Sequence, residues 1–208
     1  MLAPIVLRYP RPMLELDHVI RFVPSPDVDL AGFTIEPGRV HTGQGTRNLR
    51  IVFDRNYLEL AWVEHPEEVA ARGLDFVARC ARPTTASPFG CVLRGALPPA
   101  LRPHFAPYPL PDAPGVVLQL LSPQPLEAPF VAVFDTGTPG GSRPAHAVAP
   151  AHLRHDNGAT HIVRATFTAP VAFALAGPLA ALVPELRFAT GAPRLELDLG
   201  ALTVSYTA

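Results

Sequence analysis

The stretch Arg47–Glu64 reads RNLRIVFDRNYLELAWVE, and its reading decides the fold. Two alternating runs, Arg47–Asp54 and Tyr57–Glu64, flank Arg55-Asn56 and predict an antiparallel hairpin. Successive strand residues face opposite sides. Leu49, Ile51 and Phe53 therefore share one face with Arg47, while Asn48, Arg50 and Val52 share the other. In the second run, Leu58, Leu60 and Trp62 form an apolar face and Glu59 lies opposite it. The apolar faces must pack, so Asn48 is expected to point into a cleft, with Arg47 at its rim.

Outward from the hairpin, Leu16–Val23 reads as a strand on which His18 shares a face with Leu16, Ile20 and Phe22. Phe33–Glu36 reads as a short strand, and Ser25–Leu30 has room for at most a turn or two of helix. Pro66–Arg72 is helix-prone and is expected to stop at Gly73. Downstream, Phe89–Leu97, Val116–Leu121 and Phe130–Asp135 read as strands, joined by proline-rich connectors such as Pro98–Pro114. Thr136–Pro150 is loop. A last unit follows: strand at His161–Thr168, helix at Val171–Leu182, and three short strands ending at Tyr206. The order strand, helix or connector, then three strands recurs, most visibly in the first and last units. The fold class is therefore α+β: repeated βαβββ modules whose curved mixed sheets surround a central cleft, with short and few helices. Residues 1–12 read as an N-terminal tail and 13–208 as a single domain. Within it, 13–75 is the first module, 76–140 a degenerate middle one, and 150–208 a βαβββ-like C-terminal unit.

Composition narrows the function. Hydrophobic residues make up 48% of the 208-residue chain and charged residues 17%, so it can fill a core. The 26 prolines keep its elements short. The net charge is −1 with no basic stretch, so nucleic acid is not an expected partner. No apolar run is long enough for a membrane span. The first residues lack a secretory cleavage signal, and the expected location is the cytoplasm. The sequence contains no lysine, which removes Schiff-base, P-loop and Ser-Lys chemistry. No GxSxG is present, so a serine hydrolase has no support. Cys80 and Cys91 read as buried thiols, and Trp62 as core. His146, His152, His155 and His161 lack a regular ligand spacing and read as solvated loop residues.

Three segments carry a family resemblance: Leu16-Asp-His-Val19, then HTGQGTRN at His41–Asn48, then Tyr57-Leu-Glu-Leu60. They resemble the glyoxalase-like domain family of the vicinal oxygen chelate superfamily. Phe130–Pro139 and His155–Ala159 are similar to later segments of that family. The resemblance implies paired modules around a small-molecule pocket. In metal-using members of the wider superfamily each module gives one ligand from its first and one from its last strand, which makes a divalent metal ion the candidate cofactor here. His18 and Glu59 match the first module's ligand positions. In the second, Cys91 and Val131 stand opposite them, and Val131 cannot bind a metal. The last unit offers His161 near its first strand but no carboxylate in LTVSY. The implied site, His18 with Glu59, is therefore incomplete.

His18 and Glu59 are the candidate catalytic pair. Each is a polar group among apolar neighbours, where burial without a partner costs about 1–3 kcal/mol. His41, Gln44, Thr46, Arg47 and Asn48 are candidate substrate-binding residues: Gly43 and Gly45 free the loop backbone, and the side chains suit an oxygen-rich ligand. The absence of a third glycine and of a following helix excludes a dinucleotide fingerprint. The expected function is a lyase or isomerase acting on a small oxygenated compound. The alternatives are a non-catalytic, sequestering relative and a structural protein with a decayed pocket. A homodimer is compatible with all three.

Overall fold

A computed structural model describes residues 13–27, 29–30, 32–138 and 149–208. The expected tail at 1–12 and His146 lie outside them. The chain runs β1 (Leu14–Phe22), β2 (Glu36–His41), β3 (Thr46–Val52), β4 (Tyr57–Val63), α1 (Pro66–Ala71), α2 (Phe76–Cys80) and β5 (Phe89–Gly95). It continues with β6 (Phe105–Pro109), β7 (Val117–Leu121), β8 (Phe130–Asp135), β9 (Arg164–Ala169), α3 (Ala176–Leu182), β10 (Leu186–Thr190), β11 (Arg194–Asp198) and β12 (Thr203–Thr207). With two multistranded sheets and three short helices, the class is α+β, as the sequence implies.

Eight strands form one mixed sheet in the order β2-β3-β4-β1-β5-β8-β7-β6. Its two halves repeat one topology: β1 lies parallel to β4, and β5 lies parallel to β8. The halves join through the antiparallel pair β1–β5. The predicted hairpin is present, with β3 and β4 antiparallel from Thr46↔Val63 to Val52↔Tyr57. The other four strands form a second sheet, ordered β10-β9-β11-β12, in which β9 lies parallel to β10.

One face of the large sheet buries Leu16, Val19, Ile51, Leu58, Leu60, Trp62, Cys91, Leu93, Val131 and Val133 against Phe167, Leu179, Leu186, Leu195 and Leu197 of the C-terminal unit. That unit is anchored at the β3–β4 turn, where the Asn56 side chain donates to Ile162 O (3.0 Å) and accepts from Ile162 N (2.8 Å). The large sheet's other face carries a smaller cluster, with Phe22, Val69, Phe76, Phe130 and Ala132 packed beneath α1 and α2.

A flat sheet of eight strands would hold its edges roughly 34 Å apart at the usual strand spacing. Here Tyr108, on edge strand β6, donates its hydroxyl to Gln44 Oε1 (3.2 Å), just beyond edge strand β2. Arg39 on β2 pairs with Asp112 in the β6–β7 turn at 3.6 Å. The sheet is therefore curled until its edges touch through side chains, and the concave face encloses a cavity.

Several elements differ from the sequence reading. The second strand is Glu36–His41, not Phe33–Glu36; it forms where β3 offers a partner. A strand, β6, lies inside the proline-rich connector Pro98–Pro114. Its prolines are tolerated because β6 is an edge strand. Phe76–Cys80 is helical, and the last helix is shorter than expected, at Ala176–Leu182. His155 is buried rather than solvated: it accepts from Thr34 N (3.1 Å), contacts Val52 O (3.2 Å) and packs against Phe33 and Phe53. His152 and His161 are half-buried.

Candidate functional site

The concave face lines a cavity of about 450 Å³, inside the ~300–1,000 Å³ range of small-molecule pockets. Strand alternation on β3 turns Thr46, Asn48 and Arg50 into it, and on β4 it turns Tyr57, Glu59 and Ala61. The opposite residues, Ile51, Leu58, Leu60 and Trp62, enter the core between the sheets. That division is legible in the sequence.

Strand β1 breaks its own alternation. Its register against β5 shifts between Leu16 and His18. An extra residue of this kind re-aims the chain by one position. Leu16 and Val19 therefore face the inter-sheet core, while Asp17 and His18 both line the cavity with Ile20 and Phe22. The expectation that His18 shares a face with Leu16 is corrected by this bulge.

The bulge creates a buried polar chain. His18 Nδ1 lies 2.8 Å from Asp17 Oδ2, and His18 Nε2 lies 3.0 Å from Glu59 Oε2. Glu59 Oε1 accepts from Asn48 Nδ2 (2.6 Å), and Asn48 Oδ1 accepts from the Arg39 backbone N–H (2.7 Å). Asp17 Oδ1 accepts from Arg94 Nη1 (2.8 Å), whose other nitrogen, Nη2, reaches Glu15 and the Arg55 carbonyl. Tyr57 stacks on the His18 ring at 4.3 Å. Glycine at position 38 is required here, because a Cβ would collide with Asn48 where it slides beneath β2.

Burial alone would neutralise these groups, but their mutual bonds reverse it. Burial pulls the His18 pKa down, yet hydrogen bonds to Asp17 and then Glu59 lift it to about 9. Burial pushes both carboxyls up, and the bonds from His18 bring Asp17 and Glu59 to about 2. At neutral pH the chain is carboxylate, imidazolium, carboxylate. Arg94 supplies the second positive charge, so these four groups balance.

His41, Gln44 and Thr46 also line the cavity, linked by hydrogen bonds. Arg47 does not: it is half exposed on the other face and pairs with Glu64 at 3.5 Å. Its assignment as a substrate-binding residue is corrected on that ground, since a regular β3 cannot turn both Arg47 and Asn48 inward. Gly45 has φ +79, and a Cβ there would strike the His65 carbonyl, so the loop needs glycine at this position.

The other half of the sheet contributes mostly hydrocarbon. Val92, Leu118, Leu120, Phe130 and Phe134 line the cavity. Cys91 and Val131, expected opposite His18 and Glu59, both turn into the inter-sheet core instead. Burial pushes the Cys80 thiol to about 11 and the Cys91 thiol to about 12, so neither is a nucleophile near neutral pH.

A divalent metal at His18 and Glu59 does not fit this donor set. A metal needs the imidazole lone pair. Both His18 ring nitrogens are already engaged by carboxylates, Asp17 at 2.8 Å and Glu59 at 3.0 Å. Among the described residues, no group of three or more His, Cys, Asp or Glu side chains is arranged to hold an ion.

Sequence reasoning missed Asp17 and Arg94. Arg94 was visible as the one charge in the apolar strand FGCVLRG; Asp17 was hidden by the assumption of regular alternation. Comparison with known proteins gives a family match over the part of the chain that carries these residues. Residues 16–101 match the family model described as Glyoxalase-like domain, consistent with the vicinal oxygen chelate superfamily. The match contains Asp17, His18, His41, Asn48, Glu59 and Arg94. The fold is similar to the crystal structure of a hypothetical protein from Staphylococcus aureus, with a TM-score of 0.50 and 14% identity over 86% of each chain. No curated protein matches the chain. Among the described residues, no helix is long and apolar enough to cross a membrane.

Proposed function

We propose that the cavity binds a small molecule with an apolar body and an oxygen-bearing end, and that the protein transforms it by proton transfer, as a lyase or isomerase. The observation that carries this reading is the placement of a paired, charged chain, Asp17–His18–Glu59–Asn48, in the polar wall of a cavity whose opposite wall is mostly hydrocarbon. Burying four such groups costs several kcal/mol against a hydrophobic replacement. The apolar walls would hold the body of the ligand, and the polar end would orient its oxygens.

A second reading, sequestration without chemistry, is favoured by one specific feature. Glu59 is engaged on both oxygens and held at about 2, which makes it a weak base.

Ligand and turnover measurements separate these. In a thermal-shift screen, aryl or alkyl ketones, oxo acids and hydroxy ketones are expected to raise Tm, whereas small diols without an apolar body do not. Asn48→Ala and His18→Gln should each reduce the shift. If no compound in these classes stabilises the protein, the binding reading fails. If ligands bind but are recovered unchanged and without isotope exchange, sequestration replaces catalysis.

A further inference from the structure

A chain of hydrogen bonds converges on His41 and favours one state of its ring. The Arg39 backbone N–H can only donate, so the Asn48 atom it meets at 2.7 Å is the carbonyl oxygen. Asn48 Nδ2 therefore faces Glu59 Oε1 at 2.6 Å and, with its other hydrogen, His41 Nε2 at 3.5 Å. An amide NH₂ has no lone pair to offer, so a hydrogen bond across this contact is one that His41 Nε2 accepts. The ring proton then sits on Nδ1 and is donated to Thr46 Oγ1 at 2.8 Å. Tyr108, by donating to Gln44 Oε1, turns Gln44 Nε2 onto the same Thr46 oxygen at 3.0 Å. The edge-to-edge contact of the curled sheet thus adds a second donor to the Thr46 hydroxyl that His41 Nδ1 meets.

We infer that His41 is the proton acceptor of the cavity, its Nε2 lone pair serving a ligand that carries an acidic C–H beside a carbonyl. This rests on the proposed function and names its base. The other candidates are occupied: His18 donates from both nitrogens, and Glu59 is bonded on both oxygens. Asp112 is paired with Arg39. The contact from Asn48 to Nε2 is long and weak, so a ligand can displace it. In the step, the C–H bond breaks and its proton goes to Nε2. The electron pair moves into the adjacent carbonyl as an enolate, and the imidazolium returns the proton to the same carbon or, where that carbon bears a hydroxyl, to the former carbonyl carbon as the hydroxyl proton passes to the former carbonyl oxygen. No oxidant is needed. Burial keeps the resting imidazole neutral, with Arg39 and His18 adding to this and Glu59 and Asp112 opposing it. The two carboxylates are the groups that would stabilise the transient imidazolium.

Two measurements test this. Long-range ¹H–¹⁵N spectra of the free protein, assigned with His41→Gln, should show a neutral Nδ1–H ring at pH 7; an Nε2–H or charged ring overturns the inference. In deuterated water, 2-hydroxyacetophenone and phenylacetone serve as probes for α-proton exchange. The wild type should accelerate exchange, and His41→Gln should lose roughly 100-fold of it when each protein is compared at saturating probe. Thr46→Val should fall between them and shift the tautomer. Binding with exchange that is indifferent to His41 overturns this inference alone, whereas binding with no exchange at all overturns it together with the catalytic reading. If neither probe nor any other compound of the screen stabilises the wild type, the binding reading fails, and the inference with it.

Discussion

Strands β1–β4 turn Asp17, His18, Asn48 and Glu59 into the cavity, whereas β5–β8, with the same topology, turn in Val92, Leu118, Leu120, Phe130 and Phe134. One backbone plan therefore carries two kinds of wall. The difference lies in a bulge and in partners. The β1 bulge sets two charged residues side by side, and β3 and β4 supply the amide and carboxylate that satisfy them. On β5 the alternation stays regular, and Arg94 crosses to the first half to pair with Asp17. The topology positions the walls; which half is polar depends on where buried charges find partners.

The largest effect expected from breaking this division is Glu59→Ala. It leaves the His18 imidazolium and the Asn48 amide buried with one partner fewer, and should cost about 3–5 kcal/mol in urea unfolding. Glu59→Gln should cost less, since its amide oxygen can still accept from one neighbour. A loss below about 1 kcal/mol for the alanine variant would mean that water already reaches the cluster.

The pH dependence comes next. His18 is raised from 6.5 to about 9, so its contribution is complete below pH 6.5 and is lost as pH rises through about 9. Asp17 and Glu59 are lowered to about 2, so theirs is present above about pH 4.5 and is lost as pH falls towards 2. His41 and His155, held neutral by burial, add a loss as pH falls below 6.5. Stability should therefore peak near pH 6.5, and His18→Gln should flatten the alkaline limb of a Tm-versus-pH curve. An unchanged alkaline limb in that variant would contradict the imidazolium assignment.

Substitution in the apolar half should sharpen the contrast. Val92→Ala enlarges an existing cavity and forfeits about 1.5 kcal/mol of burial, with the shape of the pH curve unchanged. The smallest effect belongs to Arg47→Ala. Its pair with Glu64 is half exposed, so stability should move by less than about 0.5 kcal/mol. Ligand-induced Tm shifts should stay at wild-type size. A reduced shift would return Arg47 to the site.

Much of this site was legible before any coordinates. Period-two alternation in Arg47–Glu64 is a local property, and it assigned Asn48 and Glu59 to the cavity and Ile51, Leu58 and Leu60 to the core. The polar residues His18 and Glu59 stood out because an apolar strand has no reason to hold them unpaired. Gly43 and Gly45 marked the loop that carries His41 and Gln44. The α+β class followed from short elements between prolines.

Other features depended on partners distant in sequence. The bulge at Asp17 exists only in the pairing of β1 with β5, some 75 residues along the chain by its register, so a strand read alone cannot reveal it. Strand β6 forms among prolines because the edge of the sheet leaves their missing N–H groups uncalled for. His155 looked like a loop residue until Val52 and Phe53 closed over it. The hydrogen-bond chain that reaches His41 begins at Tyr108, which only the curl of the sheet brings to Gln44. Side-chain direction is set by the neighbouring residues of one strand, and the sequence determines it; burial, charge state and proton position are set by atoms that arrive from elsewhere, and the tertiary structure decided those.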